Sequence, residues 1–214
     1  MIEPVWVGME HQYRIDDAFA RVSAIAATQS GMSEFSKYQL WHMMGEAAKL
    51  PSGDILEIGC ASGGSGFMIA SRAAADKVPA RMWLVDTFDG LVKSSAVDVH
   101  QNGAMRGPTA VGVREFLDSN GVSGVTVLSG TFPDAFDFTD IQFRFVHLDV
   151  DIYQSMKDAF EAIWPRMVPG GIVVLDDYGE AECPGVTKFV DEVLSMPDAC
   201  WFLHGALQAI AVKR

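Results

Sequence analysis

The spacing of apolar residues along the chain changes at Pro51–Gly53. Before this point they recur at helical spacing, which predicts helices over 16–28 and 34–49, the second capped by Ser33. The predicted buried faces consist of Phe19, Val22, Ile25 and Ala26 in the first helix and Leu40, Met43, Met44 and Ala47 in the second. We interpret residues 1–50 as an N-terminal helical cap on the part of the chain that follows.

After this change, short β-rich runs alternate with helical stretches. The runs are apolar throughout, which is typical of parallel strands that are buried on both faces. They are Ile55–Ile58, Met82–Asp86, Val125–Ser129, Phe143–Asp149 and Ile172–Asp176. The stretches between them predict helices over 64–75, 110–119, 151–164 and 185–196. Alternation of this kind predicts right-handed βαβ units and a doubly wound α/β sheet with helices on both faces.

The last two apolar runs differ from the others because only a short turn separates them. Cys200–His204 and Leu207–Arg214 flank Gly205 and Ala206, which predicts an antiparallel hairpin at the C-terminus. Together with the five parallel strands, this hairpin gives a mostly parallel, seven-stranded sheet.

Residues 89–109 interrupt the alternation with a polar stretch that is rich in turn-forming residues. Irregular segments of this length in compact domains are usually lids, binding loops or disordered connections. We interpret the segment as a lid or substrate loop, with an ordinary surface connection as the alternative. It contains His100, which could act as a general base near neutral pH or lie on the surface without a role.

The composition narrows the class of protein. A chain of 214 residues with 49% hydrophobic and 21% charged residues fits one domain, 1–214, with a sizeable core. Its formal charge of −12 disfavours binding to nucleic acid or to anionic membranes. No apolar run could span a bilayer, the N-terminus lacks a signal-peptide pattern, and three cysteines are too few for a disulfide framework. We therefore expect a reduced, cytoplasmic protein and leave open whether it forms a homo-oligomer.

The first predicted strand runs into a glycine-rich turn within residues 54–66 (DILEIGCASGGSG). Ligands of open α/β sheets bind beyond the carboxyl ends of the strands, so this turn is a candidate ligand site. The spacing of Gly59 and Gly63 differs from the dinucleotide fingerprint, and the turn lacks the lysine of a phosphate-binding loop. Such a turn suits a ligand that has an amino acid and a ribose at its centre instead of phosphates. The alternative is a tight strand-to-helix turn without a ligand.

Asp86 closes the second predicted strand. A carboxylate at this position can accept two hydrogen bonds from a ribose diol, as the acidic residue of a dinucleotide-binding fold does. The alternative is that Asp86 caps a helix in the segment that follows it.

Four aspartates follow the fourth and fifth predicted strands: Asp149, Asp151, Asp176 and Asp177. Asp151 has capping-box spacing with Gln154, so we interpret it as a helix cap. Asp149 has no such role, and carboxylates as close as Asp149, Asp176 and Asp177 repel one another unless a cation lies between them. Three oxygen donors with open positions suit Mg²⁺, although one aspartate could instead cap a turn and another be solvated. We interpret His147, inside the fourth strand, as a hydrogen-bonded core residue.

Taken together, these motifs resemble the macrocin O-methyltransferase family of class I S-adenosylmethionine-dependent methyltransferases, which have a Rossmann-like fold. The resemblance runs from about Met32 through the hairpin and is carried by GDILEIGCASGGS, LVDTFDGL, SGTFPDAF and the stretch from His147 to Tyr178. It implies that S-adenosylmethionine is bound by Gln39, Glu57, Gly59, Gly63, Ser65, Asp86, Thr87, Phe88, Gly130, Thr131, Phe132 and Asp149. It also implies that Mg²⁺ is held by Asp149, Asp176 and Asp177.

The resemblance implies a divalent-metal-dependent O-methyltransferase that acts on a hydroxyl of a small molecule, a natural-product sugar or a vicinal diol. Asp149 is the first candidate for the proton acceptor and His100 the second. The chain departs from the family at Ile58, Ala61 and Ser62, and it is short in the parts that shape the acceptor pocket. Alternatives are a metal-independent methyltransferase and an S-adenosylmethionine-binding protein without transfer activity.

Overall fold

The computed structural model describes residues 16–204 and 206–214, so the first part of the predicted cap over 1–50 lies outside the described residues. The helices are α1 (Asp17–Ala26), α2 (Glu34–Ala47), α3 (Gly64–Ala75), α4 (Ala110–Ser119), α5 (Tyr153–Ile163) and α6 (Pro184–Val193), with a 3₁₀ turn at Trp164–Arg166. The strands are β1 (Asp54–Ile58), β2 (Met82–Asp86), β3 (Val125–Ser129), β4 (Phe143–Leu148), β5 (Met167–Asp176), β6 (Ala199–His204) and β7 (Gln208–Lys213). None of the described helices is long and apolar enough to cross a membrane.

The strands of the described residues form one sheet in the order β3-β2-β1-β4-β5-β7-β6. β1 to β5 pair in parallel, whereas β7 pairs antiparallel with both β5 and β6. The chain changes direction across the sheet between β3 and β4, so the carboxyl ends of β1 and β4 form a topological switch point. The predicted doubly wound sheet with a terminal antiparallel hairpin is confirmed.

Apolar side chains cover both faces of the sheet, which explains why the parallel strands are apolar throughout. One face packs against α5 and α6, and the other packs against α1 to α4. Strand residues at most 1% exposed include Leu56, Val146 and Val173 on the first face and Ile55, Phe145 and Val174 on the second. Because both faces of the sheet are covered, a ligand can bind only at the strand ends and the loops beyond them.

The two N-terminal helices lie on the second face, close to α3. Asp16 caps α1 and Ser33 caps α2, each accepting a hydrogen bond from a backbone amide. The prediction that Ile25 faces the core is wrong, because its side chain is 37% exposed. The buried face of α1 includes Ser23 instead, whose hydroxyl donates a hydrogen bond to Glu34 at 2.8 Å.

The start of α5 contradicts the prediction that Asp151 caps this helix. The N-cap position is Ile152, which offers no side-chain hydrogen bond. Asp98, from the segment 89–109, instead accepts a hydrogen bond from the backbone amide of Tyr153 at 2.8 Å. A residue distant in sequence therefore caps α5, and the carboxylate of Asp151 is left for another role.

Polar contacts fasten the segment 89–109, which contains neither helix nor strand, to the rest of the fold. Lys93 forms an ion pair with a carboxylate on α5. Asp98 is 9% exposed and also accepts hydrogen bonds from the amide and hydroxyl of Ser95. It lies so close to α6 that a Cβ atom at Gly185 would overlap its carboxylate. These contacts hold the segment in place, and its role as a lid stays a prediction.

Replacing Asp98 with alanine should lower the free energy of unfolding by about 2 kcal/mol, because the partly buried amide at the start of α5 loses its partner. Urea denaturation measures this change. Asp140→Ala, at an exposed loop aspartate, is the matched control and should cost at most about 0.5 kcal/mol. Equal stability of the two variants would show that Asp98 does not cap α5.

Candidate functional site

A cavity of about 620 Å³ opens at the carboxyl ends of the parallel strands. Its wall is formed by the loops after β1 to β5 and by the connection between α1 and α2. The predicted site residues on this wall are Gly59, Ser65, Asp86, Thr87, Gly130, Thr131, Phe132, Asp149, Asp176 and Asp177. Those that lie outside it are Gln39, Glu57, Gly63, Phe88 and His100. The sheet therefore brings most of the predicted residues to one place.

The charge of the cavity wall is strongly one-sided. Among the described residues it carries no lysine, arginine or histidine, but it includes the carboxylates of Asp86, Asp149, Asp151, Asp176 and Asp177. A concave surface lined by one sign of charge attracts ligands of the opposite sign. The wall therefore favours cationic ligands and disfavours phosphates.

Gly59 joins the glycine turn to the end of β4. Its backbone has a φ of 89°, and a Cβ atom on it would overlap the carbonyl oxygen of Asp149. The amide of Asp149 donates a hydrogen bond to the carbonyl of Ile58 at 2.9 Å. Only glycine combines this backbone conformation with so close an approach. The turn after β1 and the first of the four aspartates are therefore in direct contact.

Asp86 holds the same turn from the end of β2. Its two carboxylate oxygens accept hydrogen bonds from the amides of Ala61 and Phe88, each at 2.8 Å. The alternative that Asp86 caps a helix is wrong, because the next helix begins at Ala110 and is capped by Thr109. Each carboxylate oxygen can accept a further hydrogen bond, so Asp86 retains acceptor capacity at the cavity wall.

Glu57 and His147 form a buried pair behind the cavity. They are register partners on β1 and β4, both are 0% exposed, and His147 Nδ1 lies 2.8 Å from Glu57 Oε1. Burial opposes a charge on His147, but the hydrogen bond and the charge of Glu57 outweigh it and raise the pKa. The prediction that His147 is a hydrogen-bonded core residue is confirmed, whereas Glu57 is held in the core and does not reach the wall.

The four aspartates and His147 form two overlapping clusters. The carboxylate oxygens of Asp149, Asp151 and Asp177 lie within 4.8 Å of one another. The ligand atoms of His147, Asp149 and Asp176 also lie within 4.8 Å of one another. Asp149 belongs to both clusters, whereas Asp176 and Asp177 belong to different ones, so the three predicted metal ligands are not all members of one cluster. Asp151, which the sequence placed at a helix cap, is a member of the site.

Burial raises the pKa of all four aspartates. Repulsion from Asp176 and Asp177 adds to burial at Asp149, whose pKa lies well above its usual value. Burial, with Asp177 nearby, raises the pKa of Asp151 to about 6. The pKa of Asp176 also rises to about 6, through burial and Asp177, although Gln208 donates it a hydrogen bond at 2.8 Å. These carboxylates are short of positive charge, which a bound cation would supply.

One part of the wall was missed by sequence reasoning: residues 27–32, between α1 and α2, line the cavity. Gly90–Val92 also line it, and they belong to the segment 89–109, which was predicted to be a lid or substrate loop. The connection between α1 and α2 lies against the start of α3, where a Cβ atom at Gly64 would come within 2.7 Å of its backbone. In the sequence, Gly64 is the one sign that another segment packs closely against the start of α3. It does not indicate which segment that is.

The fold and the strand-end site define a class I methyltransferase architecture. The solved structure of the O-methyltransferase NovP matches with a TM-score of 0.73 at 21% identity, covering 86% of this chain and 83% of that one. At this level of identity the match shows the fold, and it confirms the predicted Rossmann-like arrangement.

The sequence comparisons identify the family. The family model for macrocin-O-methyltransferase (TylF) matches residues 25–195. The chain is 31% identical over 172 residues to 8-demethyl-8-(2,3-dimethoxy-alpha-L-rhamnosyl)-tetracenomycin-C 4'-O-methyltransferase of Streptomyces olivaceus, covering 75% of this chain and 66% of that protein. It is 28% identical over 175 residues to mycinamicin III 3''-O-methyltransferase of Micromonospora griseorubida, covering 74% and 68%. The chain thus spans about two thirds of the length of these relatives. It belongs to the macrocin O-methyltransferase family.

The raised pKa values predict how pH affects the stability of the protein without divalent cations. Asp151 and Asp176 have a pKa of about 6 when folded, so the folded state binds more protons than the unfolded state above pH 3.8. Stability therefore falls as the pH rises through about 6. The raised pKa of His147 acts in the same direction, because its stabilising charge is lost as the pH rises. In EDTA, we expect a lower thermal midpoint at about pH 7.5 than at about pH 5.

Asp151→Asn is the informative variant for this measurement, because it removes one titrating carboxylate with little change in size. Its thermal midpoint should fall less between the two pH values than that of the wild type. Asp118→Asn, at an exposed position of α4, should behave as the wild type does. If Asp151→Asn and the wild type show the same pH dependence, the cluster is not its source.

Proposed function

We propose that this protein transfers the methyl group of S-adenosylmethionine to a sugar hydroxyl of a natural product, with a divalent cation at the aspartate clusters. The observation that carries this proposal is the contact between Gly59 and Asp149, which places the glycine turn and the aspartates around one cavity. A methyl donor on the turn and an acceptor hydroxyl at the aspartates would be neighbours, and proximity is a main source of rate enhancement in such transfers. Membership of the family supports the reaction class.

The cavity fits the methyl donor by its charge and by its hydrogen-bond acceptors. S-adenosylmethionine carries a positive sulfonium, and the described wall holds carboxylates without a basic side chain. Asp86 has acceptor capacity left for the ribose hydroxyls, beside the glycine turn that it holds. The segment Gly130–Phe132 lies on the wall and would meet the adenine, with Phe132 as its apolar surface. When bound, this cofactor supplies the methyl group.

The predicted cofactor residues that lie outside the wall support it from behind. The amide of Phe88 binds Asp86, and Gly63 begins α3 with a φ of 86°. Glu57 fixes His147 beneath the aspartates. Gln39 is buried on α2, and its Nε2 has no hydrogen-bond partner in the described part of the chain. We propose that Phe88, Gly63 and Glu57 position the wall rather than contact the cofactor, whereas the contact of Gln39 with the cofactor stays a prediction.

The aspartates fit a divalent cation through their donor chemistry. Asp149 lies within 4.8 Å of both Asp176 and Asp177, so it can share a cation with each, and Gln208 fixes the orientation of Asp176. Oxygen ligands with open positions suit Mg²⁺. We therefore propose Asp149, Asp176 and Asp177 as the ligands. When bound, the cation would lower the pKa of an acceptor hydroxyl and orient it.

Asp151 is placed to take the proton of the acceptor hydroxyl. It lies on the cavity wall beside the proposed ligands, and α5 does not need it as a cap. A ligand atom of His100 lies within 4.8 Å of the Asp151 carboxylate, and His100 is partly exposed to solvent. At this separation one intervening water molecule could carry a proton from Asp151 to His100 and on to solvent. We propose Asp151 as the proton acceptor in place of Asp149, with His100 behind it.

The acceptor follows from the charge of the wall and from the names of the relatives. One relative is named for 4'-O-methylation of a rhamnosyl tetracenomycin C and the other for 3''-O-methylation of mycinamicin III. The negative wall favours an acceptor without phosphate groups, and the exposed side chain of Met105 offers it an apolar contact. We propose a neutral glycoside as the acceptor. A panel of glycosides and their sugar-free aglycones, analysed by mass spectrometry for an added methyl group, tests this choice.

Asp86→Ala should weaken S-adenosylmethionine binding by about 1.5–3 kcal/mol, the value of hydrogen bonds to a charged group. Isothermal titration calorimetry on the folded variant measures the change. Asp89→Ala, at an exposed residue of the same loop, should bind as the wild type does. An unchanged dissociation constant in Asp86→Ala would mean that the ribose is held elsewhere.

Chelation and three substitutions separate the proposed roles of the aspartates. EDTA should abolish turnover, and Mg²⁺ should restore it. Asp149→Asn should weaken Mg²⁺ binding and turnover together while leaving S-adenosylmethionine binding nearly intact. Asp151→Asn should lower kcat by about 100-fold or more but keep Mg²⁺ affinity, because it removes a general base and not a ligand. Asp118→Asn is the control for both measurements.

Two results would overturn these assignments. Turnover that survives EDTA would favour a metal-independent methyltransferase. If Asp151→Asn has the kcat of the wild type, Asp149 and not Asp151 is the proton acceptor. If Asp151 only capped α5, Asp151→Asn would be expected to have a mild effect. That expectation no longer holds, because Asp98 caps α5 instead.

A further inference from the structure

A group of possible metal ligands overlaps the aspartate clusters at Asp151, which is not among the proposed Mg²⁺ ligands, and adjoins them where the thiol of Cys183 donates a hydrogen bond to Asp177. One ligand atom from each of His100, Asp151 and Cys183 lies within 4.8 Å of the others. The three residues come from separate parts of the chain: the segment 89–109, the connection from β4 to α5, and the residue before α6. Cys183 is 3% exposed, whereas the other two are partly open to solvent.

One contact among three elements holds these residues together. Asp98 accepts a hydrogen bond from the amide of Tyr153 at 2.8 Å and lies against the backbone of Gly185. Each possible ligand is two residues away from a member of this contact: His100 from Asp98, Asp151 from Tyr153, and Cys183 from Gly185. The buried cap of α5 therefore fixes the positions of all three backbones.

The donor set differs from that of the proposed Mg²⁺ site. An imidazole nitrogen, a thiolate sulfur and a carboxylate oxygen are the ligands that Zn²⁺ takes in proteins, whereas Mg²⁺ prefers oxygen alone. Three protein ligands leave the fourth position of a tetrahedral zinc ion for water.

We propose that His100, Asp151 and Cys183 form a second cation site, which binds Zn²⁺ or a similar cation in preference to Mg²⁺. Binding replaces the thiol proton of Cys183, which leaves to solvent, by a bond from sulfur to the metal. The occupied site ties the segment 89–109 to the starts of α5 and α6. It also occupies Asp151, so zinc at this site blocks the residue that accepts the proton. This last consequence rests on the proposed function, whereas binding itself does not.

Cobalt absorption tests the binding without any need for activity. Co²⁺ substitutes for Zn²⁺, and its bond to a thiolate gives an intense charge-transfer band in the near ultraviolet. The full chain, freed of metals and held in excess Mg²⁺, should develop this band on titration with Co²⁺. Cys183→Ser should abolish the band, and His100→Ala should weaken Co²⁺ binding by about 100-fold or more, as expected for loss of a direct ligand.

The controls are a cysteine and a histidine elsewhere in the fold. Cys200→Ser, on β6, and His42→Ala, on the exposed side of α2, should titrate as the wild type does. Absence of the band, or its persistence in Cys183→Ser, would overturn the proposal. Should Cys183→Ser fail to fold, His100→Ala at a partly exposed loop position decides, because unchanged Co²⁺ affinity there contradicts the site.

Zinc inhibition tests the consequence for activity separately. With Mg²⁺ saturating, Zn²⁺ should inhibit methyl transfer by the wild type, and Cys183→Ser should require about 100-fold more Zn²⁺ to halve its own uninhibited rate. Equal sensitivity of the two proteins would contradict inhibition through this site. If the wild type transfers no methyl group at all, the proposed function fails, while the cobalt titration still decides whether the site exists.

Discussion

Uncompensated negative charge at the carboxyl ends of β4 and β5 is the constraint on which the rest of the site depends. Asp149, Asp151, Asp176 and Asp177 lie there together, and the described cavity wall has no basic side chain to balance them. Buried and partly buried carboxylates with too little counter-charge cost free energy, and the raised pKa values of all four express that cost, although His147 offsets part of it at Asp176 and Asp177. The proposed sulfonium cofactor and divalent cation carry positive charges that would offset it. The ligand chemistry that we propose thus follows from the charge of the cavity.

The order of the strands brings these aspartates next to the glycine turn. β1 and β4 are neighbours at the switch point of the sheet, so the glycine turn after one meets the aspartate that follows the other. The same pairing aligns Glu57 with His147, which places a hydrogen-bonded histidine of raised pKa beneath the aspartates. Because Gly59 lies in contact with the backbone of Asp149, a shift of the glycine turn would displace a residue of the proposed cation site. The glycine turn and Asp149, the aspartate common to both clusters, are therefore positioned by one pair of strands.

The features that could be predicted from the sequence are those that local sequence patterns determine. Apolar strands, helical spacing and strand-end residues such as Asp86 and Asp149 were found because sheet geometry sends the ends of parallel strands to one edge. Asp151 was misassigned because its capping-box spacing is a local signal, whereas the true cap, Asp98, comes from a loop that only tertiary packing brings to α5. The wall contributed by residues 27–32 was missed for the same reason. Contacts between distant segments leave little trace in one sequence.

The central claim is that a divalent cation balances the aspartates and binds the acceptor. Crystals of the protein grown with Mn²⁺, which scatters anomalously and replaces Mg²⁺ at oxygen sites, test it most directly. We predict one anomalous peak at coordination distance from the carboxylates of Asp149, Asp176 and Asp177. Absence of a peak at Asp149 in crystals that hold Mn²⁺ elsewhere would contradict the account.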